Sequence, residues 1–188
     1  MSKWKVTDRN TVYKNDIFHI ESLRCRHDRK DITHDFFVLN TRDWINITAL
    51  TGDNRLIMVE QHRLGTDEYT IETSAGLIEP GESPEDAARR ELLEETGYEA
   101  SDLVLLKKCS SNPAIMNNYI HFYLATGCRK SAAQNLDPAE DIDVHLYTHE
   151  EVFDLVNRGR IDHSIIITAL SLYFQSPHFR GKTPLSLA

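Results

Sequence analysis

The period of apolar and polar positions changes near residue 80, and the change separates two kinds of predicted element. Before it, segments such as Ile17-Phe18-His19-Ile20 and Phe36-Phe37-Val38-Leu39 are β-branched and aromatic, with polar turns between them. That is the pattern of strands. Thr51-Gly52-Asp53-Asn54 reads as a hairpin turn between strands over 44–50 and 55–62, and 69–73 reads as a further strand. From Ser83 onward the spacing becomes helical. Ser83 is placed as an N-cap, Pro84 fills the first helical position, and Glu85 and Asp86 face the positive end of the helix dipole. Ala87, Ala88, Leu92 and Leu93 form a small apolar stripe, and Gly97 offers a left-handed stop. Strands are expected again at 103–106, 119–125 and 142–147. Thr148-His149-Glu150-Glu151 has the spacing of a capping box opening a helix to about Arg158-Gly159. Asp162 is the expected cap of a second helix reaching Phe174, and Gly181–Ala188 carries no periodicity.

Strands followed by helices, without regular βαβ alternation or internal repeats, predict an α+β fold with helices flanking the sheets. Residues 1–45 read as an N-terminal β extension and 46–188 as the main domain, with no linker at the boundary.

Composition narrows the class. The 188 residues are 40% hydrophobic and 27% charged, the proportions of one globular domain or one domain with an extension. That length buries a core without staples. No apolar run approaches the roughly 18 residues a membrane span needs, and Met1-Ser2-Lys3-Trp4-Lys5 lacks the apolar stretch of a signal peptide. Cys25, Cys109 and Cys128 are odd in number and widely spaced. They form neither a disulfide framework nor a C-x-x-C site, so a reducing cytoplasm is the expected location. The net charge of −8 with no basic block argues against nucleic acid as partner.

The excess acid has a location. Residues 76–98 hold seven acids against Arg89 and Arg90, a local excess of five negative charges. On the predicted helix, Glu91, Glu94 and Glu95 stand at i, i+3 and i+4 and share one face. Each like-charge i, i+4 pair costs roughly 0.2–0.5 kcal/mol, a repulsion that hard divalent cations relieve through oxygen coordination. Arg90, four residues before Glu94, is placed to orient one carboxylate.

The whole stretch, Gly76, five residues, Glu82, seven residues, Arg90-Glu91-Leu92, one residue, Glu94-Glu95, one residue, Gly97-Tyr98, resembles the Nudix box at every fixed position. Such a match should arise by chance on the order of once in 10⁷ chains. The chain is identified as resembling the Nudix hydrolases. The resemblance implies an α/β/α sandwich and hydrolysis of a nucleoside diphosphate linked to another moiety. It also implies Mg²⁺ or Mn²⁺, two or more ions, held by Glu82, Glu91, Glu94, Glu95 and the Ala75 carbonyl, with Arg90 and Glu94 in the catalytic set. In the related ADP-ribose pyrophosphatases an acid on a loop before the last strand completes the site. Here that loop is Asp137-Pro138-Ala139-Glu140-Asp141, with Glu140 favoured as metal ligand or general base and Asp137 and Asp141 as competitors.

Three features outside the box resemble the branch acting on ADP-ribose and nucleoside diphosphate sugars. Val59-Glu60-Gln61-His62-Arg63 resembles a Q-x-R strand end, placing Arg63 on diphosphate oxygens or in a surface ion pair. Glu72-Thr73-Ser74-Ala75-Gly76 resembles an E-x-P-A-G segment, with Ser74 where proline is usual and Glu72 as a substrate-binding candidate. Pro113 lies fifteen residues past Tyr98, in a loop whose amides could contact sugar or phosphate. The expected substrate is a small nucleotide sugar and the expected assembly a homodimer formed through the N-terminal extension. Hydrolysis of another nucleoside diphosphate derivative, such as a dinucleoside polyphosphate or modified nucleotide, and a non-catalytic nucleotide-sugar sensor are the competing readings.

Overall fold

The computed structural model describes residues 3–179, so the tail Gly181–Ala188 lies outside the described residues. The chain divides into two compact units: Met1–Asp43 with Ser110–Ile120, and Trp44–Cys109 with His121–Ala188.

The first unit is an antiparallel three-stranded sheet, β1 (Trp4–Lys14), β2 (Phe18–His27) and β3 (Thr33–Thr41), in that order. Asn15 closes the first turn by accepting from the Ile17 and Phe18 amides at 2.9 and 2.8 Å, an Asx turn. The register slips between Val6 and Asp8 and between Thr11 and Tyr13, where β1 bulges. The segment Ser110–Ile120 joins this unit through main-chain bonds, the Leu39 amide donating to the Ile115 carbonyl at 2.8 Å.

The second unit is built on an eight-stranded sheet. Its path runs β11 (Ile142–Tyr147), β5 (Leu56–Arg63), β4 (Trp44–Thr51), β10 (Tyr119–Lys130), β8 (Tyr98–Glu99). β6 (Glu68–Glu72) pairs with β5, β7 (Ser74–Leu77) with β4, and β9 (Asp102–Ser110) with β10. Strand alternation divides the apolar side chains between two faces. Ile45, Ile47, Ala49 and Ile57 pack with Ala87, Ala88 and Leu92 of α1 (Pro84–Thr96). Leu50, Leu56 and Met58 pack with Val152 of α2 (His149–Asn157) and Ile166, Leu170 and Tyr173 of α3 (Ser164–Phe174). This is the expected α+β sandwich, helix layers on both faces of a sheet. Each fully buried Ile or Leu contributes roughly 1.5–3 kcal/mol.

The helix ends follow the sequence signals with one exception. Ser83 Oγ accepts from the Asp86 amide at 3.1 Å, and Gly97 closes α1 at φ +71° with its amide on the Leu93 carbonyl at 2.7 Å. Both halves of the Thr148–Glu151 capping box are made. α3 departs from expectation: its N-cap is His163, without a side-chain cap bond, and not Asp162. Ile166, Ala169, Leu170, Tyr173 and Phe174 are buried, so core packing sets where this helix begins.

Candidate active site

β7 and α1 together build an acidic recess. In the β4–β7 register, Gly76 lies opposite Ile45 and Ser74 opposite Ile47. Those isoleucines face α1, so Gly76 and Ser74 face it too. Glu91 and Glu95 lie one turn apart on α1. A Cβ at Gly76 would stand 2.0 Å from Glu91 Oε1, so only glycine admits that carboxylate. Glu95 is 4% exposed and accepts from the Ala75 amide at 3.2 Å.

Arg90 organises the acids around it. Nε and Nη2 grip both oxygens of Glu82 at 2.9 and 3.0 Å, Nη1 reaches Glu91 at 2.8 Å and Glu94 at 3.0 Å, and Nη2 also donates to the Leu77 carbonyl at 3.1 Å. All five guanidinium donors are therefore spent, and Arg90 acts by positioning the carboxylates. Glu82 also accepts from the Glu79 amide at 3.0 Å. Its bonds from Arg90, outweighing the cost of burial, hold its carboxyl below the ordinary range.

Two carboxyls are displaced the other way. Burial, reinforced by Glu94 and Glu140, pushes Glu91 up to about 7 against the pull of Arg90. Burial, reinforced by Glu91 and Glu140, pushes Glu95 up to about 8 against the Ser74 hydroxyl and the Ala75 amide. Glu140 sits exposed in its turn, its Oε2 accepting from the Asp137 amide at 3.0 Å, and its charge is felt at Glu91, Glu95 and Arg63.

Arg63 is fixed by Glu72. Nε and Nη2 donate to the two Glu72 oxygens at 2.7 and 2.6 Å, and Thr70 Oγ1 adds a 2.6 Å bond. Glu72 is 1% exposed. Burial alone would raise its carboxyl, but Arg63, His163 and Thr70 together draw it down to about 2. Glu72 is thus buried as the anchor of Arg63, whose side chain stays 44% exposed. Pro113 is exposed in the Ser110–Ile120 segment of the other unit.

Two residues escaped sequence reasoning. Gln134 donates through Nε2 to the Glu95 carbonyl at 2.7 Å and the Ile142 carbonyl at 3.0 Å, tying the end of α1 to the start of β11. His163 lies 3.7 Å from Glu72. Neither stands in a periodic or motif-like pattern, so the sequence carried no signal for them.

Among the described residues, no three His, Cys, Asp or Glu side chains converge tightly enough to hold a metal ion as they stand. Arg90 is the cation that balances them. The donor set nevertheless fits a hard divalent ion: carboxylate oxygens on one helix face, a glycine that leaves room for Glu91, and a half-buried Glu91 beside a buried Glu95, both with carboxyls raised by burial.

A sheet with helices on both faces and a glycine-floored acidic helix defines a class, and the comparisons agree with it. The NUDIX domain matches residues 41–170, and the chain belongs to the Nudix family. It is a Nudix pyrophosphohydrolase of the branch that includes the ADP-ribose pyrophosphatases. It is 37% identical to the ADP compounds hydrolase NudE of Escherichia coli (strain K12), over 73% of this chain and 74% of that one. It is 35% identical to the methanol dehydrogenase activator of Bacillus methanolicus, over 67% of this chain and 69% of that one. It is 34% identical to the ADP-ribose pyrophosphatase of Bacillus subtilis (strain 168), over 62% and 64%. A crystal structure of an ADP compounds hydrolase superposes with a TM-score of 0.81 at 27% identity, covering 90% of this chain and 91% of that one.

Proposed function

We propose that this protein hydrolyses the diphosphate bond of ADP-ribose or a nucleoside diphosphate sugar, giving a nucleoside monophosphate and a sugar phosphate, with Mg²⁺ or Mn²⁺ as cofactor. The observation that carries the reading is the pairing of Glu91 and Glu95 against β7, both pushed above the ordinary carboxylate range. Two neighbouring acids withdrawn from water, which resist ionisation together, gain most from a cation. The relatives named for ADP compounds and ADP-ribose support the substrate class.

In this reading Glu91, Glu94, Glu95 and the Ala75 carbonyl hold two or more ions, with Glu82 beside them. Bound there, the ions would neutralise diphosphate oxygens and lower the pKa of attacking water. Arg90 keeps the carboxylates aligned. Glu140, or Asp137 or Asp141 of the same turn, takes the proton from the attacking water. Arg63, clamped by Glu72, pairs with diphosphate oxygens. The 1–45 extension joins two copies in a homodimer. The three free thiols accord with a reducing cytoplasm, and among the described residues no helix is long and apolar enough to cross a membrane.

The test is turnover of ADP-ribose, GDP-mannose, UDP-glucose and ADP-glucose with and without Mg²⁺, ranked by kcat/KM. Glu95→Gln should cut kcat by about 10² or more while the fold survives. Wild-type turnover by that variant in saturating Mg²⁺ would overturn the assignment.

A further inference from the structure

We propose that Ser74 is a positioning residue of the cation site, its buried hydroxyl reserved as a hydrogen-bond donor to the Glu95 carboxylate when a divalent cation is bound. This inference rests on the reading of Glu91 and Glu95 as cation ligands.

Ser74 is 1% exposed, and its Oγ has no partner at hydrogen-bonding geometry. A buried hydroxyl left unpaired costs roughly 1–3 kcal/mol, and such groups in a folded protein call for an explanation. The cost is not local accident, because alanine at the same place would avoid it without changing the strand.

Strand register says where the hydroxyl faces. Ser74 and Gly76 are two residues apart on β7, opposite Ile47 and Ile45, and both look toward α1. Two residues along a strand span about 6.6 Å, and four residues along a helix span about 6 Å. The two spacings match, so Gly76 meets Glu91 while Ser74 meets Glu95, one turn further on. The Ser74 hydroxyl accordingly lies close enough to Glu95 to act on its carboxyl. One Glu95 oxygen, Oε2, already takes the Ala75 amide. The Ser74 hydroxyl is the further neutral donor on hand for this carboxylate, whose acidic neighbours Glu91 and Glu140 only repel it.

A cation bound between Glu91 and Glu95 would fix the Glu95 carboxylate, and the Ser74 hydroxyl would then gain a strong charge-assisted acceptor. As the protein stands the buried hydroxyl makes no bond of good geometry. Ser74 therefore stabilises the cation-bound state and not the free one. A residue serving only the fold would do the reverse.

The experiment compares Ser74→Ala and Glu95→Gln with wild type in the full chain. Mn²⁺ affinity is measured by electron paramagnetic resonance of the free ion near pH 7.5, and the melting temperature is measured in chelator. Ser74→Ala should bind Mn²⁺ about three- to tenfold more weakly, the worth of one such hydrogen bond, with a metal-free melting temperature unchanged or higher. Wild-type Mn²⁺ affinity in Ser74→Ala overturns the proposal. So does a loss of affinity accompanied by a lower metal-free melting temperature, which would mark a purely structural serine. Wild-type Mn²⁺ binding by Glu95→Gln would instead remove the cation site on which the inference stands.

Discussion

At the scale of single residues, the site is a set of carboxylates held in unlike states by their immediate neighbours. Glu72 is at one extreme. Its carboxyl lies at about 2 in the fold, below the ordinary 4.5, although burial opposes the shift. A depressed acid stabilises the fold above its unfolded pKa and loses that contribution as pH falls through the folded value. Glu72 should therefore supply roughly 3 kcal/mol at neutral pH, lost between about pH 4.5 and 2. Urea unfolding at pH 6 and pH 2.5 checks this, since Glu72→Gln should show a flatter fall in stability by about that amount. Gly76 offers a sharper separation of fold from function. In Gly76→Ala the new methyl would meet the Glu91 side chain at 2.0 Å from Oε1 and 2.7 Å from Cγ. The carboxylate must swing aside, so kcat should drop by about 10² while the melting point moves only a few degrees. Equal losses of activity and stability would contradict this.

At the scale of elements, legibility followed the density of local signals. α1 was readable end to end, because its N-cap, first-turn acids, apolar stripe and C-terminal glycine are all local in sequence. Ser83→Ala should cost about 1 kcal/mol. Gly97→Ala should cost more, because it forces a side chain onto φ +71° and brings a Cβ to 2.3 Å from the Ala132 carbonyl. Urea titrations of the two variants give the comparison. β1 was not readable as a unit: almost every residue of Trp4–Lys14 is exposed, so no alternation of apolar and polar positions marks it. The start of α3 was misplaced for a related reason, since burial and not a cap fixes it. The bidentate clamp between Arg63 and Glu72 lay hidden because the two meet across β5 and β6, and sequence shows strand ends but not their register. Gln134 belongs to the same category. Its two bonds, to the last turn of α1 and the first residue of β11, bracket the turn that holds Glu140. Gln134→Ala should lower kcat about tenfold or more with KM little changed, because it loosens the turn of the proposed base and not the proposed substrate contacts. A change confined to KM would count against that role.

At the scale of the molecule, acidity and apolar exposure are both unevenly distributed, and each marks a different task. The acid concentrates along 76–98, where bound cations would reverse the local sign and let an acidic protein receive an anionic substrate. Apolar exposure concentrates elsewhere. Of the thirteen exposed large hydrophobics among the described residues, seven fall before residue 45, including Val6, Val12, Tyr13, Ile17 and Phe37. The fold class was legible because period and turns recur along the whole chain. The recruitment of Ser110–Ile120 into the first unit was not, because nothing local marks a segment for a partner 76 residues away. A small sheet with that much apolar surface in water suits a covering partner, which in the proposed reading is a second copy of the same chain. Burying one such side chain contributes roughly 1.5–3 kcal/mol, and two-fold symmetry doubles it. Phe37, 56% exposed on the outer strand β3, is therefore a sensitive probe. Phe37→Glu should place two buried charges in a dimer and raise its dissociation constant by at least about 10². Sedimentation equilibrium across micromolar concentrations should show wild type as the dimer and the variant as the monomer, and a wild-type monomer throughout that range would refute the assignment of this sheet to self-association.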